Sequence, residues 1–196
     1  MENKDFLTNL TSDELASYRL ESFPGRVIVI ENMENFRRHL PELKGEGLLG
    51  FDTETKPSFR KGKRNRVALL QLAFDNTAFL FRLNRIGLPR ELAQILADAM
   101  VVKAGVAIHD DIKILRQLSQ FEPSGFVDLQ KTSKEFGIES SSLKKLAAII
   151  LGFRISKSQQ VTDWEAPVLS EAQIIYAATD AWVCYEIYLK LSRLKQ

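Results

Sequence analysis

The chain holds one cysteine, Cys184, and two histidines, His39 and His109, among 196 residues. A single cysteine excludes an intramolecular disulfide framework and a zinc site built on cysteines. Two histidines so far apart in sequence are a poor start for a histidine-rich metal site. Long apolar runs are missing as well. No stretch reaches the roughly eighteen apolar residues a membrane-spanning helix needs. Residues 1–20 carry several acids and no continuous apolar segment, which is not the pattern of a secretory signal. Net charge is only +2, so affinity for nucleic acid has to come from a local patch rather than a global field. The expectation is a soluble cytoplasmic protein with no membrane partner. Protein partners leave no signal here.

What is present fits one globular domain. The chain is 45% hydrophobic and 27% charged, enough for a full core. Residues 1–25 read as an accessory helical segment, with Thr11-Ser12-Asp13-Glu14 as a capping start and Pro24-Gly25 as a closing turn. The main domain is expected over 26–196. Arg26-Val27-Ile28-Val29-Ile30 is a short β-rich run, followed by a helical pattern through Met33, Phe36 and Leu40 that Pro41 is expected to break. Strands are predicted at 48–53, 67–74 and 77–81, the last two joined as a hairpin by Asp75-Asn76. Helices are predicted at 88–99 and 109–118, with strands at 101–106 and 125–128. Helices then dominate, over 129–136, 142–151 and from Ser170 to about Leu194. The class is α/β, a mixed sheet flanked by helices in a single domain, since the hairpin requires an antiparallel pair.

Three places put carboxylates where a core does not want them. In Leu48-Leu49-Gly50-Phe51-Asp52-Thr53-Glu54-Thr55 an apolar run delivers two acids spaced two apart. On a strand they share a face, and two such charges tolerate one another through a proton, water or a bound cation. Hard divalent cations prefer such oxygens, although a solvated strand end has the same sequence pattern. Asp110 and Asp111 follow a strand and open a helix, which the helix dipole alone explains. Tyr176 and Asp180 lie four apart on one face of the last helix, with alanines between them. Between 56 and 66 the chain has six basic residues (Lys56, Arg60, Lys61, Lys63, Arg64 and Arg66) and no acid.

Taken together, these places resemble the DEDD exonuclease superfamily, in the branch whose third motif carries tyrosine, with ribonuclease D-like and Werner-exonuclease-like members. Asp52-Thr53-Glu54 is similar to the first motif, and Val67-Ala68-Leu69-Leu70-Gln71-Leu72-Ala73 to the strand after it. Asp111 with Ile114 and Leu115 is similar to the second motif, Asp110 being the alternative. Tyr176-Ala177-Ala178-Thr179-Asp180 resembles the third, and Lys157-Ser158, Asp163-Trp164, Leu169-Ser170 and Gln173 its approach. Ala166-Pro167 stands where the ribonuclease D branch often has Arg-Pro. The basic stretch and Gly105-Val106-Ala107-Ile108 are closer to the Werner branch. The resemblance covers about residues 26–193.

It implies a ribonuclease H-like fold and a metal-dependent 3′→5′ exonuclease that releases nucleoside 5′-monophosphates from single-stranded ends or 3′ overhangs of DNA or RNA. Asp52, Glu54, Asp111 and Asp180 would hold two divalent cations, Mg²⁺ or Mn²⁺, and Tyr176 would position the attacking water. Arg60, Lys61, Lys63 and Arg64 are candidates for the substrate backbone. Trp164 is either a stacking platform for a base or an interior anchor of its loop. His109 is expected at a helix start and Cys184 as a small packed residue. The contrasting reading is a catalytically inactive module that binds nucleic acid or a partner on the same fold. A different phosphoesterase on a related sheet is a third.

Overall fold

A computed structural model describes residues 6–56 and 66–195. Arg60, Lys61, Lys63 and Arg64 therefore lie outside the described residues. In chain order the elements are α1 (Ser12–Ser17), β1 (Arg26–Ile30), α2 (Met33–Leu43), β2 (Leu48–Thr55), β3 (Val67–Phe74), β4 (Thr77–Arg82), α3 (Leu83–Ile86), α4 (Arg90–Ala97), β5 (Val102–Gly105), α5 (His109–Arg116), β6 (Phe126–Asp128), α6 (Leu129–Lys134), α7 (Leu143–Leu146) and α8 (Glu171–Leu194). Among the described residues the six strands form one sheet in the order β1-β4-β3-β2-β5-β6. Only β3 runs antiparallel to both its neighbours. The hairpin at Asp75-Asn76 is present, with Asp75 at φ 44 as such two-residue turns require.

Two layers cover the sheet. On one side α2, α4 and α5 bury Phe36, Leu40, Leu92, Leu96 and Leu115 against Phe51, Leu70, Leu72, Phe79 and Phe81. Each such side chain is worth about 1.5–3 kcal/mol. On the other side α8 lies across β2 and β3. Register explains how it comes so close. Gly50, Ala73 and Ala78 stand in one row across β2, β3 and β4. Ala73 and Ala78 pack on Ala178 and Ala181 of α8. A Cβ added at Gly50 would sit 1.9 Å from the Ala181 carbonyl oxygen. Any larger residue there pushes the helix off the sheet. The Ser170–Gln173 capping box starts α8 as its sequence predicts.

Three expectations need correction. Pro41 does not break α2, which runs on to Leu43. Losing one helical bond and fitting the ring costs about 3 kcal/mol, but Phe36, Leu40 and Leu43 all bury on one stripe, and their burial outweighs it. The helix predicted over 142–151 is an α-turn followed by a π-helical turn, Ala147–Leu151, closed by Gly152 at φ 85. The helix predicted over 88–99 is shorter, Arg90–Ala97, and a separate short helix, α3, precedes it.

The described part of the N-terminal segment is docked onto the domain. Leu10 and Leu15 pack with Ala148, and Leu20 pairs with Arg154 in a parallel bridge. The Phe23 N–H donates to Thr179 Oγ1 at 2.9 Å, one residue before Asp180. The domain therefore wears this segment as a strap over α8 and the chain around Arg154.

Candidate metal centre

Alternation along β2 sends Asp52 and Glu54 to the face that α8 covers. The same helix brings Tyr176 and Asp180 over them. Carboxylate oxygens of Asp52, Glu54 and Asp180 all lie within 4.8 Å of one another. The Tyr176 hydroxyl acts on the Asp180 carboxylate, one helical turn on. These residues line a cleft of about 280 Å³ whose other walls include Ser142, Lys144, Ser156, Lys157 and Gln160.

Asp111 stands apart from that trio. Its Oδ1 accepts a 2.5 Å hydrogen bond from the Thr53 hydroxyl, and its carboxylate is not among the three mutually close groups. Its charge still acts on Asp52 and Glu54. Asp110, the alternative for the second motif, is exposed and pairs with Lys113 at 3.5 Å. Of the two, Asp111 is the one turned toward the site. His109 is exposed at the start of α5 and belongs to no metal-capable group among the described residues.

The acids resist ionisation where they stand. Burial, then the charges of Asp180 and Asp111, push Asp52 well above the carboxylate range. Glu54 is pushed up to about 10 by burial first and the neighbouring acids second. Asp180 is raised to about 7 by burial, against the Tyr176 hydroxyl and the Lys157 charge that hold it down. Asp111 is raised by burial, the Thr53 hydroxyl resisting. Such a set fits a divalent cation on two counts. Every donor is a hard oxygen, and oxygens up to 4.8 Å apart can face one another across an ion that binds them at about 2.0–2.6 Å.

Trp164 is a correction. It is fully buried among Ala68, Leu69, Leu80 and Tyr176, so a nucleobase cannot reach its ring. It anchors the loop before α8, which Arg82 also clamps through the Ala166 carbonyl at 2.5 Å. Cys184 of α8 is buried in a core cluster with Leu129, Leu146 and Ile150, as expected. Sequence reasoning gave Lys144 no role at the site and Lys157 only a place in the approach to the third motif. Lys144 stands in the short helix α7 and Lys157 in the irregular chain after the π-helical turn, and apolar spacing does not say that either would face the cleft.

Comparisons with known proteins follow the same lines. Residues 27–195 match a family model described as 3′-5′ exonuclease. The chain is 34% identical over 154 residues to the bifunctional 3′-5′ exonuclease/ATP-dependent helicase WRN of Mus musculus, covering 75% of this chain and 11% of that protein. It is 32% identical over 192 residues to exonuclease 3′-5′ domain-containing protein 2 of Mus musculus, covering 90% and 29%. The chain thus spans less than a third of the length of either relative. Among solved structures the Aedes aegypti Nibbler EXO domain superposes with a TM-score of 0.79 at 24% identity, over 88% of this chain and 91% of that one, a likeness of fold.

Proposed function

We propose a reaction for a chain that belongs to the 3′-5′ exonuclease family: hydrolysis of phosphodiester bonds at the 3′ ends of single-stranded nucleic acid or 3′ overhangs, releasing nucleoside 5′-monophosphates. The observation that carries it is the trio of buried carboxylates within 4.8 Å of one another. Asp52, Glu54 and Asp180 would hold a pair of Mg²⁺ or Mn²⁺ ions, with Asp111 joining once it leaves Thr53. When bound, the ions acidify a water and offset charge on the phosphate.

The chain's own groups do the rest. Tyr176, its hydroxyl held up by burial and by Asp180, Glu54 and Asp52, keeps its proton and so orients the attacking water rather than deprotonating it. Lys144 and Lys157 on the cleft wall receive the substrate backbone. The basic residues Arg60, Lys61, Lys63 and Arg64, which follow the first acidic motif in the sequence, are proposed as further contacts to the substrate backbone. Burial of the acids under α8 keeps water away except at the cleft. An inactive binding module has less to recommend it, because Asp52, Glu54 and Asp180 converge beside Tyr176, and Asp111 is tied to Thr53, between the first two.

The test is incubation with labelled single-stranded DNA and RNA in Mg²⁺, Mn²⁺ or EDTA. Stepwise shortening from the 3′ end with either metal, and none in EDTA, supports the proposal. The strand shortened faster identifies the substrate. Binding without shortening in either metal returns the chain to the inactive module. Tyr176→Phe should lower turnover about 10²–10⁴-fold with substrate affinity nearly unchanged.

A further inference from the structure

Gln71 is the polar residue whose position the fold does not explain. It sits in the middle of β3, directly opposite Asp52 on one side and Leu80 on the other. Opposed residues share a face, with Cβ atoms about 4.5–5.5 Å apart, so its side chain leaves the sheet beside that of Asp52. Leu80 packs with Trp164, Tyr176 and Ala177, so that face lies under α8. Gln71 is fully buried, and neither its Nε2 nor its Oε1 has a hydrogen-bond partner.

Each unmet buried polar group costs about 1–3 kcal/mol. Leucine stands at positions 69, 70 and 72 of the same strand, so an apolar side chain at 71 would suit this core better. The other buried orphans differ. Arg82 lacks a partner only at Nε, its remaining nitrogens bonding Glu31 and Ala166. Trp164 and Ser133 each leave one atom unmet, and neither faces an acid across the sheet. Among the described residues Gln71 alone leaves a complete amide unmet, and its neighbour across the strand is a proposed metal ligand. Asp52 has room for it. A carboxylate accepts at about four lone-pair sites, and the Thr53 N–H, at 2.9 Å, uses one.

We propose that Gln71 is a positioning residue of the metal centre. Its amide N–H₂ donates to the Asp52 carboxylate when that carboxylate is ionised and bound to a divalent cation, fixing which oxygen faces the ion. The proposal rests on reading the acid cluster as a metal centre. Hydrogen bonds of this kind behind a ligand typically change metal affinity about 10–100-fold.

Two measurements on the full chain test it: calorimetric titration with Mn²⁺, and thermal melting in EDTA. For Gln71→Leu the metal-free melting temperature should hold or rise, because an unmet amide is gone, while Mn²⁺ affinity falls about 10–100-fold. A residue that only packs moves both readouts together or leaves affinity alone. Gln71→Met keeps the length of the side chain and carries the same expectation should the branched leucine fail to fold. Mn²⁺ affinity equal to wild type in a folded variant overturns the role of Gln71. A wild-type chain that binds no Mn²⁺ overturns the metal centre itself, which separates the two failures.

Discussion

Lys103 and Arg82 are fully buried and the acids of the cleft partly or wholly so, yet their surroundings differ in kind. The Lys103 Nζ donates to the carbonyls of Ile95 at 3.1 Å and Asp98 at 2.7 Å, at the C-terminal end of α4, and lies 5.1 Å from the centre of the Phe126 ring. That is where a helix dipole favours a cation. Arg82 bonds Glu31 at 3.1 Å and the Ala166 carbonyl. By contrast, Asp52, Glu54 and Asp180 have no ion pair to a lysine or arginine among the described residues and crowd one another instead. The first region meets its buried charge from within the chain and so acts as scaffold. The second does not, and burying these acids together is sustained by protons they hold in the metal-free chain or by a counter-charge that arrives from outside.

The sharpest way to break this contrast is Asp52→Asn. It removes a metal ligand and one of the repelling charges in the same step. Hydrolysis should fall by ~10³-fold or more, a loss at least as large as that of a single oxyanion donor. The metal-free protein should melt at the same temperature or higher, since repulsion is relieved. A variant that keeps near-wild-type turnover removes Asp52 from the centre. One that melts far lower makes the acid cluster scaffold after all.

Stability against pH separates the regions by sign. Asp180, at about 7, and Glu54, at about 10, have folded values above those of the unfolded chain. Their protonated forms therefore favour folding, and that stability is complete below the ordinary carboxylate range. It is lost as pH climbs through 7 and then toward 10. The slope approaches about 1.4 kcal/mol per pH unit for each proton released. Lys103 runs the other way. Burial lowers it to about 8, so it penalises the fold below pH 8, and the penalty lifts as pH rises from there toward the unfolded value. The metal-free melting temperature should decline from about pH 5 to 8 and flatten above. Saturating Mg²⁺ should remove most of the decline. A metal-free curve that rises from pH 5 to 8 contradicts the burial of these acids.

Lys103→Met tests the scaffold side. The thioether fills the space but leaves the Ile95 and Asp98 carbonyls unmet, at about 1–3 kcal/mol. Chemical denaturation should show that loss, while turnover well below the melting point stays at the wild-type level. A fall in turnover without a fall in stability would place Lys103 in the reaction.

How much of this was legible in the sequence follows from the same contrast. The hairpin at Asp75-Asn76, the cap at Ser170 and the strand carrying Asp52 and Glu54 are local patterns, and the structure has them where the pattern puts them. The gathering of Tyr176 and Asp180 over β2 is not local. It depends on Gly50, Ala73 and Ala78 aligning in a row under Ala178 and Ala181, and only the family resemblance pointed to it. The partners of Lys103 and Arg82 left no signal, because backbone carbonyls have no residue identity and Glu31, which also bonds Arg82, lies 51 residues away in the chain. Pro41 and the π-helical turn were misjudged for a related reason. Burial of one helix stripe overrode a local rule in α2, and the bond pattern after Leu146 is not written in apolar spacing.

Lys157 gives the smallest and most discriminating test, because it stands between the two regions. It is exposed on the cleft wall, yet its charge, after the Tyr176 hydroxyl, opposes the rise of Asp180. If the acids await a cation that brings the phosphate with it, a lysine at the rim serves the substrate backbone rather than the fold. Lys157→Gln should then leave the melting temperature unchanged and weaken single-strand binding by about tenfold or less. The slope of binding against salt should flatten by about 0.7, the value for one lost phosphate contact on a single strand. Turnover at saturating substrate should stay near wild type. The opposite split, with binding and salt slope intact but turnover reduced, would move Lys157 from the backbone track to the reacting phosphate. A loss of stability instead would make it scaffold, a surface counterpart of Lys103, and the line between the two regions would have to be redrawn.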